Sequence, residues 1–231
     1  MKHHPWTLEP ELTRREKALG LAYLPFHVLG LPQLLGALAT AHPELTTATA
    51  NLILYGVGMV FLALAFGKRL FAHYNLWVDN AGRVLLTLGK SFLLFMALTV
   101  VLAVILPVLQ MESLTNPNNE MLMNLSGADF RVTFALAIFI APILEETLFR
   151  GVLFGALRGK SAPAAYGVSC LAFALAHLWQ YAALGPQVWL LVLQYLPVSI
   201  ALCYAYEKTG CLWTPILFHM MNNMLAYNML R

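Results

Sequence analysis

Charged residues are scarce in this sequence, and their scarcity excludes a soluble domain. Of 231 residues, 11% are charged and 60% are hydrophobic, whereas a soluble domain carries about 25% charged and about 45–50% apolar residues. A chain of this length cannot hide so much apolar surface from water, so its solvent is expected to be a lipid bilayer. The net charge of +3 is too small to favour a nucleic acid as a partner.

Cysteine pairs and a cleavable leader are also lacking. The three cysteines, Cys170, Cys203 and Cys211, are odd in number and have no CxxC spacing, which excludes a disulfide framework and a cysteine metal site and favours core packing. The N-terminus mixes acids and bases over about 18 residues before the first apolar run, unlike a secretory signal. The first run is therefore predicted to be a retained membrane span.

Apolar runs of spanning length recur seven times along the chain. A transmembrane helix needs about 20 mostly apolar residues. The runs lie at 18–41, 48–67, 84–109, 131–157, 163–183, 187–206 and 210–230. The sequence therefore predicts an all-α fold, a polytopic transmembrane helix bundle of about seven spans, as a single integral membrane domain over residues 1–231. Pro25 and Pro32 predict a kink in the first span.

Lysine and arginine occupy every second connection. Lysine and arginine lie in the N-terminal tail, in the second loop and in the connections near 158–162 and 207–209: Lys2, Arg14, Arg15, Lys17, Lys68, Arg69, Arg83, Arg158, Lys160 and Lys208. The alternate connections, 42–47, 110–130 and 184–186, contain none. Because cytoplasmic loops carry the excess of Lys and Arg, this alternation predicts a cytoplasmic N-terminus. The minimal loops favour a bacterial cytoplasmic (inner) membrane.

Several other polar residues have no evident role in the sequence. The connection 110–130 is predicted to be surface structure with a turn at Pro117-Asn118. His27, His42 and His73 have no identifiable partners and are interpreted as incidental.

Three spans carry polar and ionisable residues where lipid is expected. The fourth span contains Glu145, Glu146 and Arg150, the fifth contains His177, and the seventh contains His219, Asn222 and Asn223. Each ionisable group inside a span costs about 2.5–3.5 kcal/mol on insertion scales, so these residues are hypotheses of function.

The groups are predicted to meet at one depth. With a rise of 1.5 Å per residue, Glu145, His177, His219 and Asn223 lie about 18, 21, 13 and 19 Å from the cytoplasmic ends of their helices. Glu146 and Arg150 are four residues apart and can pair on one face, whereas Glu145 points about 100° away. A carboxylate beside a histidine can take a proton from water, and a second histidine with an amide can stabilise an oxyanion.

This pattern resembles the three signature motifs of the CPBP (CAAX protease and bacteriocin-processing, Abi) intramembrane proteases, a family that includes the CAAX prenyl endopeptidases of the Ras-converting type. The motifs are Glu145-Glu146-x-x-x-Arg150, Phe173-x-x-x-His177 and His219-x-x-x-Asn223, with Gly210-x-Leu212-Trp213-x-Pro215-Ile216 preceding the last. The resemblance covers residues 131–230, which are expected to form the catalytic core.

The resemblance implies a role for each matching position. It implies that Glu145 and His177 activate the attacking water, and that His219 and Asn223 form the oxyanion site. It gives supporting positions to Glu146, Arg150, Phe173 and Asn222. The family has been called both metalloprotease and glutamate protease. Glutamate chemistry without a cofactor is favoured, while a zinc site formed by Glu145, His177 and His219 stays open.

The leading hypothesis is an intramembrane endopeptidase that cleaves a membrane-anchored peptide or protein in the cytoplasmic half of the bilayer. Two other classes remain open: a catalytically silent scaffold or immunity protein with the same fold, and a transporter whose buried charges mark an ion path. For Glu146 and Arg150 a purely structural ion pair is the alternative, and for His177 and His219 interhelical hydrogen bonds.

Overall fold

The computed structural model describes residues 12–108 and 116–229, and within these ranges every regular element is a helix. The helices are α1 (Arg14–Ala41), α2 (Thr47–Asp79), α3 (Ala81–Val108), α4 (Pro117–Ala128), α5 (Phe130–Arg158), α6 (Ala162–Leu184), α7 (Pro186–Thr209) and α8 (Trp213–Met229). The end of α6 and the start of α7 are 3₁₀-helical.

Six of these helices, α1, α2, α3, α5, α6 and α7, are long and apolar enough to cross a membrane. Helix α8 coincides with the seventh predicted span, and its 17 residues extend about 26 Å. The protein is therefore an integral membrane helix bundle, and the predicted fold class is confirmed.

Two predicted connections are helical instead. The second span was expected to end at residue 67, but α2 continues to Asp79, because the polar residues that follow include good helix formers such as Lys68 and Arg69. The turn expected at Pro117-Asn118 is the start of α4: the Asn116 side chain accepts a hydrogen bond from the Asn118 N–H at 3.1 Å, and Pro117 suits the first helical position. Residues 110–115 and Lys2 lie outside the described residues.

Helix α1 is irregular where a kink was predicted. A π-helical turn, Phe26–Gly30, lies between Pro25 and Pro32. Such turns arise where one residue is added to a helical turn, and they re-aim the side chains that follow. The buried side chain of His27 belongs to this turn.

Helix α5 forms the centre of the bundle. Of the residues in its most apolar 18-residue stretch, 50% are buried inside the protein, whereas only 6% are buried in the corresponding stretch of α3. Helix α3 therefore mainly faces lipid. Close approach to α5 depends on small residues of neighbouring helices: a Cβ on Gly58 would lie 2.5 Å from the Cδ2 atom of Leu144. The central position of α5 places its polar residues among α2, α6, α7 and α8.

The connection between α7 and α8 is fixed to α2. Gly210 ends α7 in the left-handed conformation, with φ of 63°, a conformation that glycine adopts without steric cost. The next residues are held by His73: its Nδ1 accepts the Leu212 N–H at 3.0 Å, and the Cys211 thiol donates to its backbone carbonyl at 3.2 Å. The interpretation of His73 as incidental is wrong, because it anchors the start of α8.

The three cysteines are buried free thiols. The Sγ atoms of Cys170 on α6 and Cys203 on α7 lie 3.9 Å apart, and Cys211 belongs to the connection just described. Their exposures of 4% or less agree with the packing role expected from the sequence.

Candidate active site

Two π-helical turns of α5 enclose the two adjacent glutamates. They span Leu136–Ile140 and Thr147–Phe154, on either side of the α-helical segment that contains Glu145 and Glu146. In the first turn the Ala141 N–H bonds to the carbonyl of Leu136, and Pro142, which follows, has no N–H to offer the next carbonyl, that of Ala137. Irregular turns of this kind are frequent at functional sites.

Glu146 forms a buried ion pair with Arg150. The Nη1 atom of Arg150 donates to Glu146 Oε1 at 3.0 Å, and both side chains are fully buried. The Nη2 atom of Arg150 donates to Ser199 on α7, to Oγ at 2.7 Å and to the carbonyl oxygen at 3.2 Å. The pair predicted from the four-residue spacing is present, and it also links α5 to α7.

His219 of α8 lies between the two glutamates. Its Nδ1 is 2.7 Å from Glu146 Oε1, while its Nε2 is 3.9 Å from Glu145 Oε2. With Nδ1–H donating to Glu146, the Nε2 atom is directed towards Glu145. The contact between His219 and Glu146 was not predicted from the sequence, because nothing in the spacing of one helix reports the rotation of another.

His177 of α6 approaches Glu145 from another direction. Its Nδ1 is 2.8 Å from the Phe173 carbonyl oxygen, and because a carbonyl can only accept, Nδ1 carries the proton. This tautomer leaves the lone pair of Nε2 directed at Glu145 Oε2, 3.8 Å away. Glu145 Oε2 is buried and has no hydrogen-bond partner among the described residues.

The Phe173 ring contacts the Arg150 guanidinium and both imidazoles. The guanidinium carbon of Arg150 is 4.4 Å from the centre of the Phe173 ring, a cation–π geometry. The ring centroids of His177 and His219 lie 4.6 and 5.7 Å from that of Phe173. Phe173 therefore positions both imidazoles while covering the Arg150 side chain.

Asn223 and Asn222 lie one turn beyond His219. The Asn223 side-chain amide donates to the carbonyl oxygen of Ala137 at 3.0 Å, the carbonyl that precedes the proline interruption in α5. The Asn222 amide donates to Asn223 Oδ1 at 3.5 Å. One N–H of Asn223 is used in this way, and its second N–H can serve another acceptor.

These side chains line one cavity of about 650 Å³. Its lining includes six of the eight residues that the sequence singled out: Glu145, Phe173, His177, His219, Asn222 and Asn223. The other two, Glu146 and Arg150, are buried behind it with no exposed side-chain surface. The structure thus separates two adjacent glutamates, one facing the cavity and one facing the protein interior.

Several residues at this site were not predicted from the sequence. Ser199 binds Arg150, and Tyr195 lies beside His177 with ring centroids 5.0 Å apart. Tyr55 and His27 line the cavity, so the interpretation of His27 as incidental does not fit its position. Serine and tyrosine are common in membrane helices, so their presence in a span does not by itself indicate a functional site.

The geometry does not form a metal centre as it stands. Across residues 12–108 and 116–229, no group of three His, Cys, Asp or Glu side chains is placed to hold a metal ion, and this includes the set Glu145, His177 and His219.

The bundle and its cavity define an integral membrane protein with polar residues inside its spans. Residues 127–225 match the Rce1-like family of type II CAAX prenyl endopeptidases. This match confirms the resemblance carried by the three motifs, and it supports the fold of a CAAX-type intramembrane protease for the matched residues, which are less than half of the chain.

A curated relative is similar over a comparable length. The UPF0177 protein YaiF of Lactococcus lactis subsp. lactis (strain IL1403) is 33% identical over 109 residues, which are 45% of this chain and 43% of the relative. The similarity thus spans less than half of that protein's length. No solved structure shows significant similarity to the chain.

Proposed function

We propose that the protein is an intramembrane endopeptidase in which Glu145 activates the water that attacks the peptide bond. The observation that carries this proposal is the position of Glu145 Oε2, 3.8 Å from His177 Nε2 and 3.9 Å from His219 Nε2 at the wall of the cavity. Glu145 accepts no hydrogen bond from Arg150, whose Nη1 donates to Glu146. It is therefore the carboxylate available for proton transfer.

The separation between Glu145 and His177 suits a bridging water. The His177 Nε2 lone pair and a carboxylate oxygen cannot bond directly without a shared proton, and 3.8 Å is too long for a hydrogen bond. A water molecule can donate one proton to each. As its oxygen attacks the substrate carbonyl carbon, one proton passes to Glu145, which can return it to the leaving amine.

His219 and Asn223 are the proposed donors to the oxyanion. When both nitrogens of His219 carry protons, Nδ1–H bonds to Glu146 and Nε2–H is available on the cavity side. The second N–H of Asn223 is also available there, because the first is used by Ala137. Donors already in place when charge develops on the carbonyl oxygen lower the barrier most.

Glu146, Arg150 and Phe173 are positioning residues in this proposal. Glu146 fixes the orientation of the His219 ring by its 2.7 Å contact, and Arg150 connects Glu146 to Ser199. Phe173 supplies the carbonyl that selects the His177 tautomer. The favoured reaction is of the glutamate type, and the substrate is a membrane-anchored peptide or protein in a bacterial inner membrane.

The test is cleavage of a panel of membrane-anchored peptides by the purified protein in one detergent. Glu145→Gln removes the proton acceptor and keeps the side-chain volume, so we expect kcat to fall by about 100-fold or more. The matched control is Glu44→Gln, the same chemical change at a side chain that is 76% exposed, and it should cleave as the wild type does. A chelator added to the wild-type reaction tests metal dependence.

Each outcome separates the proposal from its rivals. Equal cleavage by wild type and Glu145→Gln would show that Glu145 is not the water activator. Wild-type protein that cleaves nothing, yet binds a peptide with an affinity that Glu145→Gln leaves unchanged, would favour the silent scaffold. Loss of activity in chelator that added zinc restores would replace the glutamate type with a metal-dependent one.

A further inference from the structure

The basic residues of the described chain are concentrated at one end of the bundle. They lie at the start of α1, in the second half of α2, at the start of α3 and at the connections that follow α5 and α7: Arg14, Arg15, Lys17, Lys68, Arg69, Arg83, Arg158, Lys160 and Lys208. Lys90 lies nine residues into α3, about 14 Å from its start. Arg150 is buried at the centre, and Arg131 lies at the opposite end. By the charge rule for loops, the basic end faces the cytoplasm.

The cavity occupies the other end. On α2 its lining ends at Tyr55, 13 residues and about 20 Å before Lys68. On α6 the lining begins at Phe173, 11 residues and about 17 Å from the start of the helix at Ala162, which follows Lys160 by two residues. Helices α2 and α6 run in opposite directions, and both place the cavity in the half of the bundle away from the basic end.

Helix α4 lies over this cavity. Its cap residue Asn116 donates to Tyr195 Oη at 3.1 Å and to Gln194 Oε1 at 3.3 Å, both on α7. The Tyr181 hydroxyl of α6 donates to the Met121 sulfur at 3.1 Å. The helix belongs to the connection between α3 and α5 that carries no Lys or Arg before Arg131, so it lies on the noncytoplasmic side.

The lining of the cavity is rich in uncharged amides. Asn51, Asn116, Asn118, Asn119, Gln180 and Gln194 contribute to it. Among the lining residues that the structure describes, Glu145 is the one acid, and there is no lysine or arginine. Asparagine and glutamine offer both donors and acceptors, as a peptide backbone does, so this lining can pair with an extended peptide without selecting for charge.

We infer that the site takes a peptide segment presented on the noncytoplasmic side of the membrane, which enters beneath α4. The inference rests on the proposed function for its chemistry, but the direction of entry follows from the cavity and the charges alone. It departs from the cytoplasmic-half cleavage expected from the sequence. The substrate class is accordingly an extracytoplasmic peptide or the extracytoplasmic flank of a membrane anchor.

Cysteine labelling tests the direction of entry in the full-length protein. Asn119 is exposed and lines the cavity, whereas Lys160 is exposed at the basic end. The native cysteines have exposures of 4% or less, so wild-type protein reports the background. Asn119→Cys and Lys160→Cys are expressed in bacterial cells, and spheroplasts are treated with a charged, membrane-impermeant maleimide before and after permeabilisation.

We expect Asn119→Cys to gain one label per chain in intact spheroplasts and Lys160→Cys to gain it only after permeabilisation. The reverse pattern would overturn the inference. This readout needs no substrate, and a variant that fails to fold is recognised because its native cysteines also become labelled.

Peptide cleavage then separates the route of entry from the function. A water-soluble quenched fluorescent peptide, selected because permeabilised wild-type membranes cleave it and Glu145→Gln membranes do not, is added outside intact spheroplasts. Cleavage there supports entry from the noncytoplasmic side, and cleavage confined to permeabilised membranes overturns it. If Asn119→Cys is labelled from outside and no peptide is cleaved in any preparation, the proposed function fails while the direction of access stands.

Discussion

The two halves of the bundle differ in how they are closed. The half at the basic end is filled with side chains and is crossed by ion pairs: Arg69 binds both carboxylate oxygens of Glu16, at 2.9 and 2.7 Å, and Arg158 Nε donates to Glu207 at 2.6 Å. The other half encloses the cavity, and α4 lies over it through single hydrogen bonds from Asn116 and Tyr181.

The adjacent residues Glu145 and Glu146 lie where these halves meet. Glu146 faces the filled half and is satisfied by Arg150 and His219, whereas Glu145 faces the cavity with an unpartnered oxygen among the described residues. The irregular turns of α5 direct these neighbouring side chains into different surroundings, so one helix presents one carboxylate to the protein interior and the other to the cavity.

The largest expected effect on stability is at Glu146. Glu146→Gln leaves the fully buried Arg150 guanidinium without its anion, and breaking a buried pair in this way costs about 3–5 kcal/mol. Thermal unfolding in detergent should show a clear loss of stability. Glu145→Gln, the identical change at the next residue, should unfold as the wild type does, because no ion pair to arginine is lost.

An equal loss of stability in both variants would contradict the different roles of Glu145 and Glu146. We also expect Glu146→Gln to change the proton exchange or tautomer signals of His219 in NMR spectra, because a positioning role acts through that ring. Unchanged His219 signals in the folded variant would show that Glu146 does not set the state of that ring.

A smaller effect is expected where α2 packs against α5. A Cβ on Gly58 would lie 2.5 Å from Leu144 Cδ2, and Leu144 has no exposed surface into which it can move. Overpacking of this kind costs about 1–3 kcal/mol, so Gly58→Ala should lower the unfolding temperature. Gly56→Ala, two residues earlier with nothing within 4 Å, should be neutral or slightly stabilising. Equal behaviour of the two variants would contradict this packing of α2.

The sequence was sufficient for features that depend on one helix at a time. Span positions, the Glu146–Arg150 pair and the shared depth of Glu145, His177 and His219 follow from hydropathy and from 3.6-residue periodicity. The common cavity in which most of these residues meet agrees with the predicted depth, because helix rise fixes depth without knowledge of the neighbours.

Features that depend on two helices or on broken periodicity were not predictable in this way. The contact of His219 with Glu146 and that of Asn223 with Ala137 require the rotation of α8 relative to α5, which no sequence spacing reports. The π-helical turns of α5 also shift the register of its side chains. Helix α4 was not predicted because it lacks a long apolar run. Asn116 and Pro117 are nevertheless a typical helix start, with Asn as the cap and Pro at the first helical position.

The smallest expected effect is at the basic end, where the filled half meets solvent. Arg158 and Glu207 form an ion pair between α5 and α7 with side chains 31% and 17% exposed, and partly exposed pairs contribute about 1 kcal/mol or less. Arg158→Met should therefore lower stability slightly, and because salt screens such pairs, the difference from wild type should shrink as the NaCl concentration rises. Lys160→Met, which removes an exposed positive charge two residues later, is the control for net charge. A loss of stability in Arg158→Met as large as that in Glu146→Gln, at every salt concentration, would contradict this expectation. It would mean that the ion pairs at the basic end stabilise the bundle as strongly as the buried pair at its centre.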